Sequence, residues 1–439
     1  MITIISLIIV MILLIIATTR YNIHPFLTLI LAAIIMGFVG GLSEEMVILK
    51  VTEGFGNTLK NIGIIIAFGT IIGAYLEKSG GAQAMASSIQ KIVGDKNSPL
   101  AMNITGFIVS IPVFCDSGFV ILSTLNKALS KKTGISLVIL AVSLSTGLYA
   151  THVFVPPTPG PLAAAGTIGA DIGLVLLLGL LVAIPSALAG WLWARQSGKK
   201  INLTNRFEED VPEIERFPHT YKSFAPIIVP IVLIALKSVA DYPTFPLGNG
   251  WLYYTIIFFG NPVIALLVGV FLSFPLKSKT SDKTHFHWVT AGLKNAGVII
   301  LITGAGGAFG NVLRSTDIGV TLGSILSEWQ IGLLLPFLLA AVLKSAQGSS
   351  TVAIITSAAL IVPLLEPLGM TSEIAKALVV LSIGAGAMTV SHVNDSYFWV
   401  VSQFSDMNTE IALRSHTMAT LFQGITGIVV IYIVSIFLI

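Results

Sequence analysis

Uncharged apolar runs about as long as a bilayer is thick recur along the whole chain, and few folds accept them. A membrane-spanning helix needs about 20 mostly apolar residues. Candidates fall near 2–18, 25–42, 58–76, 135–155, 172–194, 224–240, 252–274, 288–311, 374–391 and 417–439. Of the 439 residues only 10% are charged and 54% are hydrophobic, against roughly 25% charged in a soluble domain. A water-soluble chain of this length would lack the charge to cover its surface. The expected fold is an all-α polytopic membrane protein, because helices satisfy their backbone hydrogen bonds internally. A net charge of +3 gives no reason to expect nucleic acid. The single cysteine, Cys115, rules out an intramolecular disulfide and any multi-cysteine metal site. The N-terminal run lacks the basic region and cleavage site of a secretory signal, so residues 2–18 are read as a retained first helix.

Two further apolar stretches are interrupted. Residues 99–126 break at Ile111 to Gly118, and residues 331–365 break at Lys344 to Thr351. Basic residues choose the side of each loop. The long polar segment 195–223 holds Arg195, Lys199, Lys200, Arg206, Arg216 and Lys222, which places it in the cytoplasm. Lys78, Lys91 and Lys96 precede the first interrupted stretch, and Lys127, Lys131 and Lys132 follow it. Both its ends then face the cytoplasm, which makes it a re-entrant hairpin. Lys277, Lys279 and Lys283 mark another cytoplasmic loop, while basic residues are sparse around 331–365, which suits a hairpin dipping from outside. The expected arrangement has the N-terminus outside, with an N-terminal repeat over 1–194, a cytoplasmic linker over 195–223 and a C-terminal repeat over 224–439.

The halves resemble each other. Lys60-Asn61-Ile62-Gly63 matches Lys294-Asn295-Ala296-Gly297, and Gly73-Ala74-Tyr75 matches Gly307-Ala308-Phe309 in the same register. Thr151-His152-Val153 later matches Ser391-His392-Val393. On the expected orientation these landmarks run in opposite directions through the membrane. Inverted-topology repeats with broken helices near the midplane mark secondary transporters. No phosphate-binding G-x-x-x-x-G-K-[ST] loop occurs, which argues against an ATP-driven pump.

Four segments place helix breakers beside polar groups at membrane depth, where unwound backbone must line a cavity or be buried in protein. In the first, Pro112 and Gly118 flank Asp116 and Ser117. Asp116 is either a hairpin-tip carboxylate in water or a substrate-facing, titrating group, since intramembrane acids are costly. In the second, Lys344 precedes Ser345, Gln347, Gly348, Ser349, Ser350 and Thr351. Bare N–H groups and a following helix N-terminus favour an anion there, and the hydroxyls suit a sugar acid. Lys344 pairs with a substrate carboxylate, snorkels to the surface, or pairs with an internal acid. The third runs from Thr151 and His152 through Thr158 to Pro161, too rich in proline to stay helical. His152 is either a proton carrier or a hydrogen-bonded packing residue. The fourth is Ser391, His392, Asn394 and Asp395, in which His392 and Asp395 would share a face if helical. That face is either a proton or substrate site or an internal structural pair. Gly304 to Gly310 begins like a dinucleotide fingerprint but carries Phe309 at the third glycine slot, and it reads as a helix-packing surface, as do Gly69 and Gly73.

At these segments the chain resembles the gluconate permease family of proton symporters. The stretches that carry the likeness are Gly54 to Thr58, Ile111 to Val120, Pro156 to Pro161, Gly304 to Gly310 and Ser391 to Ser396. The resemblance implies uptake of gluconate or a related sugar acid with protons across the bacterial inner membrane. It implies kinship with the ion transporter superfamily, homodimers in a lipid bilayer, and no cofactor beyond the proton gradient. D-serine and other hydroxy-acid carriers belong to the same family. The substrate is expected at Asp116, Ser117, Gly118, Thr151, His152, Thr158, Lys344, Gln347, Gly348, Ser349, Ser350, Thr351, Ser391, His392, Asn394 and Asp395. Proton coupling is expected at Asp116, Asp395 or His392. The rival classes are a membrane-embedded enzyme, for which no H-E-x-x-H or comparable spacing exists, and a channel.

Overall fold

The structure is a computed structural model that describes residues 6, 9–10, 12–14, 16–17, 20–21, 23–198, 218–240, 250–276, 284–316, 332–393 and 395–439. Every regular element among them is helical. Most of the expected helix at 2–18, most of the 195–223 linker, and Lys277, Lys279 and Lys283 lie outside the described residues. The first half contains α1 (Pro25–Val39), α2 (Glu44–Lys78), α3 (Gly81–Val93), α4 (Ser98–Val109), α5 (Cys115–Thr133), α6 (Leu137–Phe154), α7 (Pro159–Ile168) and α8 (Ile172–Gly198). The second contains α9 (Thr220–Ala240), α10 (Trp251–Phe259), α11 (Pro262–Ser273), α12 (Thr284–Arg314), α13 (Leu334–Gln347) and α14 (Ser350–Ile361). It closes with α15 (Glu373–Met388), α16 (Ser396–Phe404), α17 (Thr409–Ala412) and α18 (Met418–Leu438). Among the described residues six helical segments are long and apolar enough to cross a membrane, and a bent α10–α11 pair makes a seventh.

Several boundaries depart from the sequence reading. The span expected at 58–76 starts at Glu44, where Ser43 caps the Met46 N–H and Glu44 and Glu45 favour the positive end of the helix dipole. Charged residues kept that first turn out of an apolar window without weakening it as a helix. The span expected at 252–274 is bent by 68°. Asn261 caps a new helix by accepting from the Val263 N–H at 3.0 Å, and Pro262 takes the first helical position, where it needs no donor. The amphipathic α3 was not expected at all.

Two long helices, α2 and α12, cross at small residues. A Cβ on Gly54 would lie 2.6 Å from the Gly307 carbonyl oxygen, and one on Gly307 would lie 1.9 Å from the Thr58 hydroxyl. The glycine run 304–310 is thus a packing surface, as read. Further along α2, a Cβ on Gly73 would meet the Pro112 carbonyl at 2.4 Å, and one on Gly69 would touch Pro157. The two first-half breaks therefore rest on α2. By contrast α6 is buried along nearly its whole length, as expected of a helix that is apolar all round. Large apolar side chains on α8 (Leu181, Ile184, Leu188, Leu192) and α18 (Ile425, Val429, Ile433, Ile436) are exposed at helical spacing, as lipid-facing stripes would be.

Both interrupted stretches are helix–break–helix units. Helix α4 has 12 residues and α14 also has 12, about 18 Å each, too short to span about 30 Å of hydrocarbon. The ends of the first unit meet, with Lys132 on Asp95 at 2.8 Å. In the second unit a side chain at Gly332 would touch Met370. Lys127 of the first unit pairs with Asp406, just before α17, at 3.0 Å. The Leu334 N–H of the second unit donates to Tyr432, near the end of α18, at 3.0 Å. Thr409 and Tyr432 are 23 residues apart on that closing helical segment, about 35 Å. The bases of the two units thus sit at opposite ends of it.

Candidate functional site

The last turn of α13 carries Lys344. Its helix ends at Gly348, whose φ of +75° suits a glycine cap. The Lys344 ammonium donates to the Gly348 carbonyl at 3.1 Å and pairs with Asp395 Oδ2 at 2.5 Å. The pair is almost fully enclosed, with 1% and 5% of the two side chains exposed. Of the readings the sequence left open for Lys344, the internal acid is the one present here, and the side chain does not snorkel to the surface. Asp395 is the N-cap of α16, and its Oδ1 accepts from the Tyr397 N–H at 3.0 Å. Ser391 Oγ donates to Asp395 Oδ2.

Residues 389–393 and 395 are not helical, so the helical face proposed for His392 and Asp395 does not form. Their recorded link is through the backbone, where the Asp395 N–H donates to the His392 carbonyl at 2.7 Å. Val390 holds φ at +59°, which a β-branched residue adopts only under strain of about 1–3 kcal/mol. Helix α18 and the turn before it satisfy the opened backbone. Ser391 N–H donates to Thr420 at 2.9 Å, and Thr417 donates to the Ser391 carbonyl at 2.5 Å. Asn394 lies outside the described residues.

A histidine that the sequence reading missed lies beneath the pair. His416 is fully buried in a single π-helical turn, Leu413–Thr417, a distortion frequent at functional sites. Its Nε2 meets Ser391 Oγ at 3.2 Å and its Nδ1 meets Ser145 Oγ at 3.1 Å. The signal that could have found it is the polar triplet Ser415-His416-Thr417 at the head of the apolar run 417–439.

The first half supplies the facing wall. Tyr149 donates to the Ala387 carbonyl at 3.3 Å, and its ring lies 6.0 Å from the Lys344 ammonium, within cation–π range. Tyr397 reaches back from α16 to the Ser145 carbonyl at 2.9 Å. His152 stacks on Tyr149 and meets Phe114 at 6.1 Å. Asp116 opens α5, and both it and His152 lie within electrostatic range of Lys344 and Asp395. Both tips and both breaks therefore converge on one buried cluster.

Not every expected residue offers a group to a ligand. Thr151 and Thr158 spend their hydroxyls on the Leu148 and Val155 carbonyls. Ser349 caps α14 by accepting from Val352 N–H at 3.4 Å, and Gly118 packs against Leu148. Ser350 is buried beside the Tyr149 hydroxyl, while Ser117 and Thr351 are half-buried. Other atoms are buried with no partner among the described residues. They include Asp116 Oδ1, His152 Nδ1, both amide atoms of Gln347, and the hydroxyls of Thr356 and Ser357 on α14, with others elsewhere in the helices, such as Asn126 and Ser186. Well over nine in ten buried polar groups are ordinarily paired. Asp116 and His152, the two of these within electrostatic range of the lysine–aspartate pair, give it the surroundings of a polar ligand site.

Comparison with known proteins accords with this geometry. Residues 2–437 match the sequence profile of the GntP family permeases. An uncharacterized permease of Haemophilus influenzae is 37% identical, with 98% of this chain and 92% of the relative covered. A gluconate permease of Pseudomonas aeruginosa is 34% identical, with 97% and 96% covered. The D-serine transporter DsdX of Escherichia coli K12 is 31% identical, with 98% and 97% covered. Among solved structures, Neisseria gonorrhoeae MtrF, described as one of a class of antimetabolite efflux pumps, superposes with a TM-score of 0.69 over 95% of this chain and 96% of its own, at 14% identity. The YdaH transporter of Alcanivorax borkumensis gives a TM-score of 0.63, also at 14% identity, over 93% of this chain and 98% of its own. Those two likenesses speak to the fold alone.

Proposed function

The chain belongs to the GntP family of permeases, and on that footing we propose that it carries gluconate or a related sugar acid inward with a proton across the bacterial inner membrane. The observation that carries the coupling is the enclosed Lys344–Asp395 pair. At rest the pair is neutral as a whole. A substrate carboxylate takes the place of Asp395 at Lys344, and Asp395 accepts a proton. The site then holds one ammonium, one carboxylate and one carboxylic acid, and is neutral again. Binding the anion without the proton would bury a net negative charge, at several kcal/mol. Binding the proton without the anion would leave Lys344 buried and unpaired. Each ligand therefore favours the other, which is the thermodynamic content of symport.

The remaining groups take parts in the same event. The orphaned Gln347 amide, with Thr356 and Ser357, supplies donors and acceptors for sugar hydroxyls. Ser391 and His416 hold the Asp395 carboxyl in place in both states. Asp116 is the second acid of the cluster, and the balance above counts it as protonated throughout. We read the two helix–break–helix units as re-entrant hairpins of an inverted repeat, dipping from opposite faces. The meeting of each unit's ends and their attachment to opposite ends of the closing helix support that reading. With basic residues deciding the side, the first hairpin opens to the cytoplasm and the second to the outside. The buried cluster is then reached by moving hairpins against the α2–α12 scaffold.

D-serine is the second reading. It shares a carboxylate and a hydroxyl with sugar acids, and DsdX is among the relatives. Counterflow in proteoliposomes decides between them. Labelled gluconate inside should exchange with external gluconate and sugar acids far better than with D-serine. Efficient displacement by D-serine with none by gluconate would reverse the assignment.

A further inference from the structure

A second polar chamber lies apart from the tips. It is a cavity of about 220 Å³ between α2, α12 and the C-terminal end of α7. Asn57 and Asn61 face it from one stripe of α2, four residues apart, and Asn311 and Arg314 from one stripe of α12, three apart. Thr167 completes it from α7, and its hydroxyl is buried with no partner among the described residues. Among the described residues no acidic residue lines the chamber, and Arg314 is the one charged group there. Asn311 is oriented by its own amide, which donates to the Lys50 carbonyl at 2.9 Å.

We propose that this chamber is a separate capture site for a polyhydroxy carboxylate on its way to the buried pair. The inference rests on the functional reading above. The planar guanidinium of Arg314 matches a carboxylate with two parallel hydrogen bonds. Carboxamides and a hydroxyl on the facing helices match a chain of sugar hydroxyls, each able to donate and to accept. The placement suits a first stop. Helix α7 runs from Pro159, beside the first proline break, to Ile168 in the chamber wall. Its ten residues separate the two sites by about 15 Å. Val362, at the end of α14, also lines the chamber, which puts it at the base of the second hairpin and therefore on the outer side. Among the described residues the chamber has no acid to exchange a proton with the ligand, which assigns it to capture and not to coupling.

The test has a transport arm and a binding arm. In the transport arm, Arg314→Gln raises the KM for gluconate uptake about ten-fold, by more than it lowers the maximal rate, and Arg314→Lys recovers part of that loss. In the binding arm, Thr167→Cys is placed in a Cys115→Ser background and labelled from outside with an impermeant maleimide. Gluconate slows the labelling, and adding Arg314→Gln removes the protection. Equal KM values, or equal protection with and without Arg314, would overturn the proposal. The binding arm needs no turnover. Protection in a chain that takes up no gluconate would therefore sink the functional reading and leave the chamber standing, and uptake without protection would do the reverse.

Discussion

At the residue scale the molecule turns on a charge pair that is costly to hold and more costly to break. Lys344 and Asp395 are both enclosed, and removing one partner leaves the other as an uncompensated buried charge. Lys344→Met should therefore destabilise the protein by about 3–5 kcal/mol. The double variant Lys344→Met with Asp395→Leu should recover most of that loss while transporting nothing. Thermal unfolding in detergent, read beside uptake in vesicles, checks both halves. Recovery of transport in the double variant would remove the pair from the mechanism. Lys344, Asp395, Asp116 and His152 were each visible in the sequence as polar groups at membrane depth. Their pairing was not. Lys344 and Asp395 are 51 positions apart, and nothing local distinguishes an internal partner from a substrate. His416 was invisible for another reason, since a lone histidine at the head of an apolar run looks like a boundary until its two serine partners are brought to it from α6 and the second break.

At the element scale glycines on α2 set how closely the first-half breaks are held. Gly73 of α2 presses on the Pro112 carbonyl, whereas a side chain at Gly63 on the same helix would meet little. Gly73→Val should push the first break out of place and cut uptake more than ten-fold. Gly63→Val should change it less than two-fold, because it fills open space. Equal effects of the two would show that the breaks need no fixed wall. The breaks were legible because proline, glycine and hydroxyl residues interrupt apolar runs. The bend at Asn261 and the helix α3 were not, since one cap and one short amphipathic helix are weak signals beside a hydropathy window. The clasp between Lys132 and Asp95 is a surface device. Hydrogen bonding from Lys132 holds the Asp95 carboxyl below its usual range. The clasp therefore contributes above the ordinary carboxylate range and fades as pH falls through the lowered value, and exposure keeps it small.

At the scale of the whole molecule the account requires two hairpins that dip from opposite faces and meet in the middle. In right-side-out vesicles Lys96→Cys, at the base of the first, should react with an impermeant thiol reagent only after permeabilisation. Glu366→Cys, at the base of the second, should react at once. Labelling of both from one side would break the inverted arrangement. The repeat is an expectation drawn from short matched strings, Lys60 to Gly63 with Lys294 to Gly297 among them, and this labelling is what tests it. The Lys344–Asp395 pairing on which the proposed charge balance rests was not legible, because it is a property of the assembled site. The most direct test of that balance is Asp395→Asn in proteoliposomes, measuring gluconate counterflow and proton-driven accumulation side by side. The account predicts that exchange persists, since asparagine mimics the protonated acid and leaves Lys344 to the substrate, while accumulation against a gradient is lost. Full accumulation with unchanged dependence on the proton gradient would contradict it.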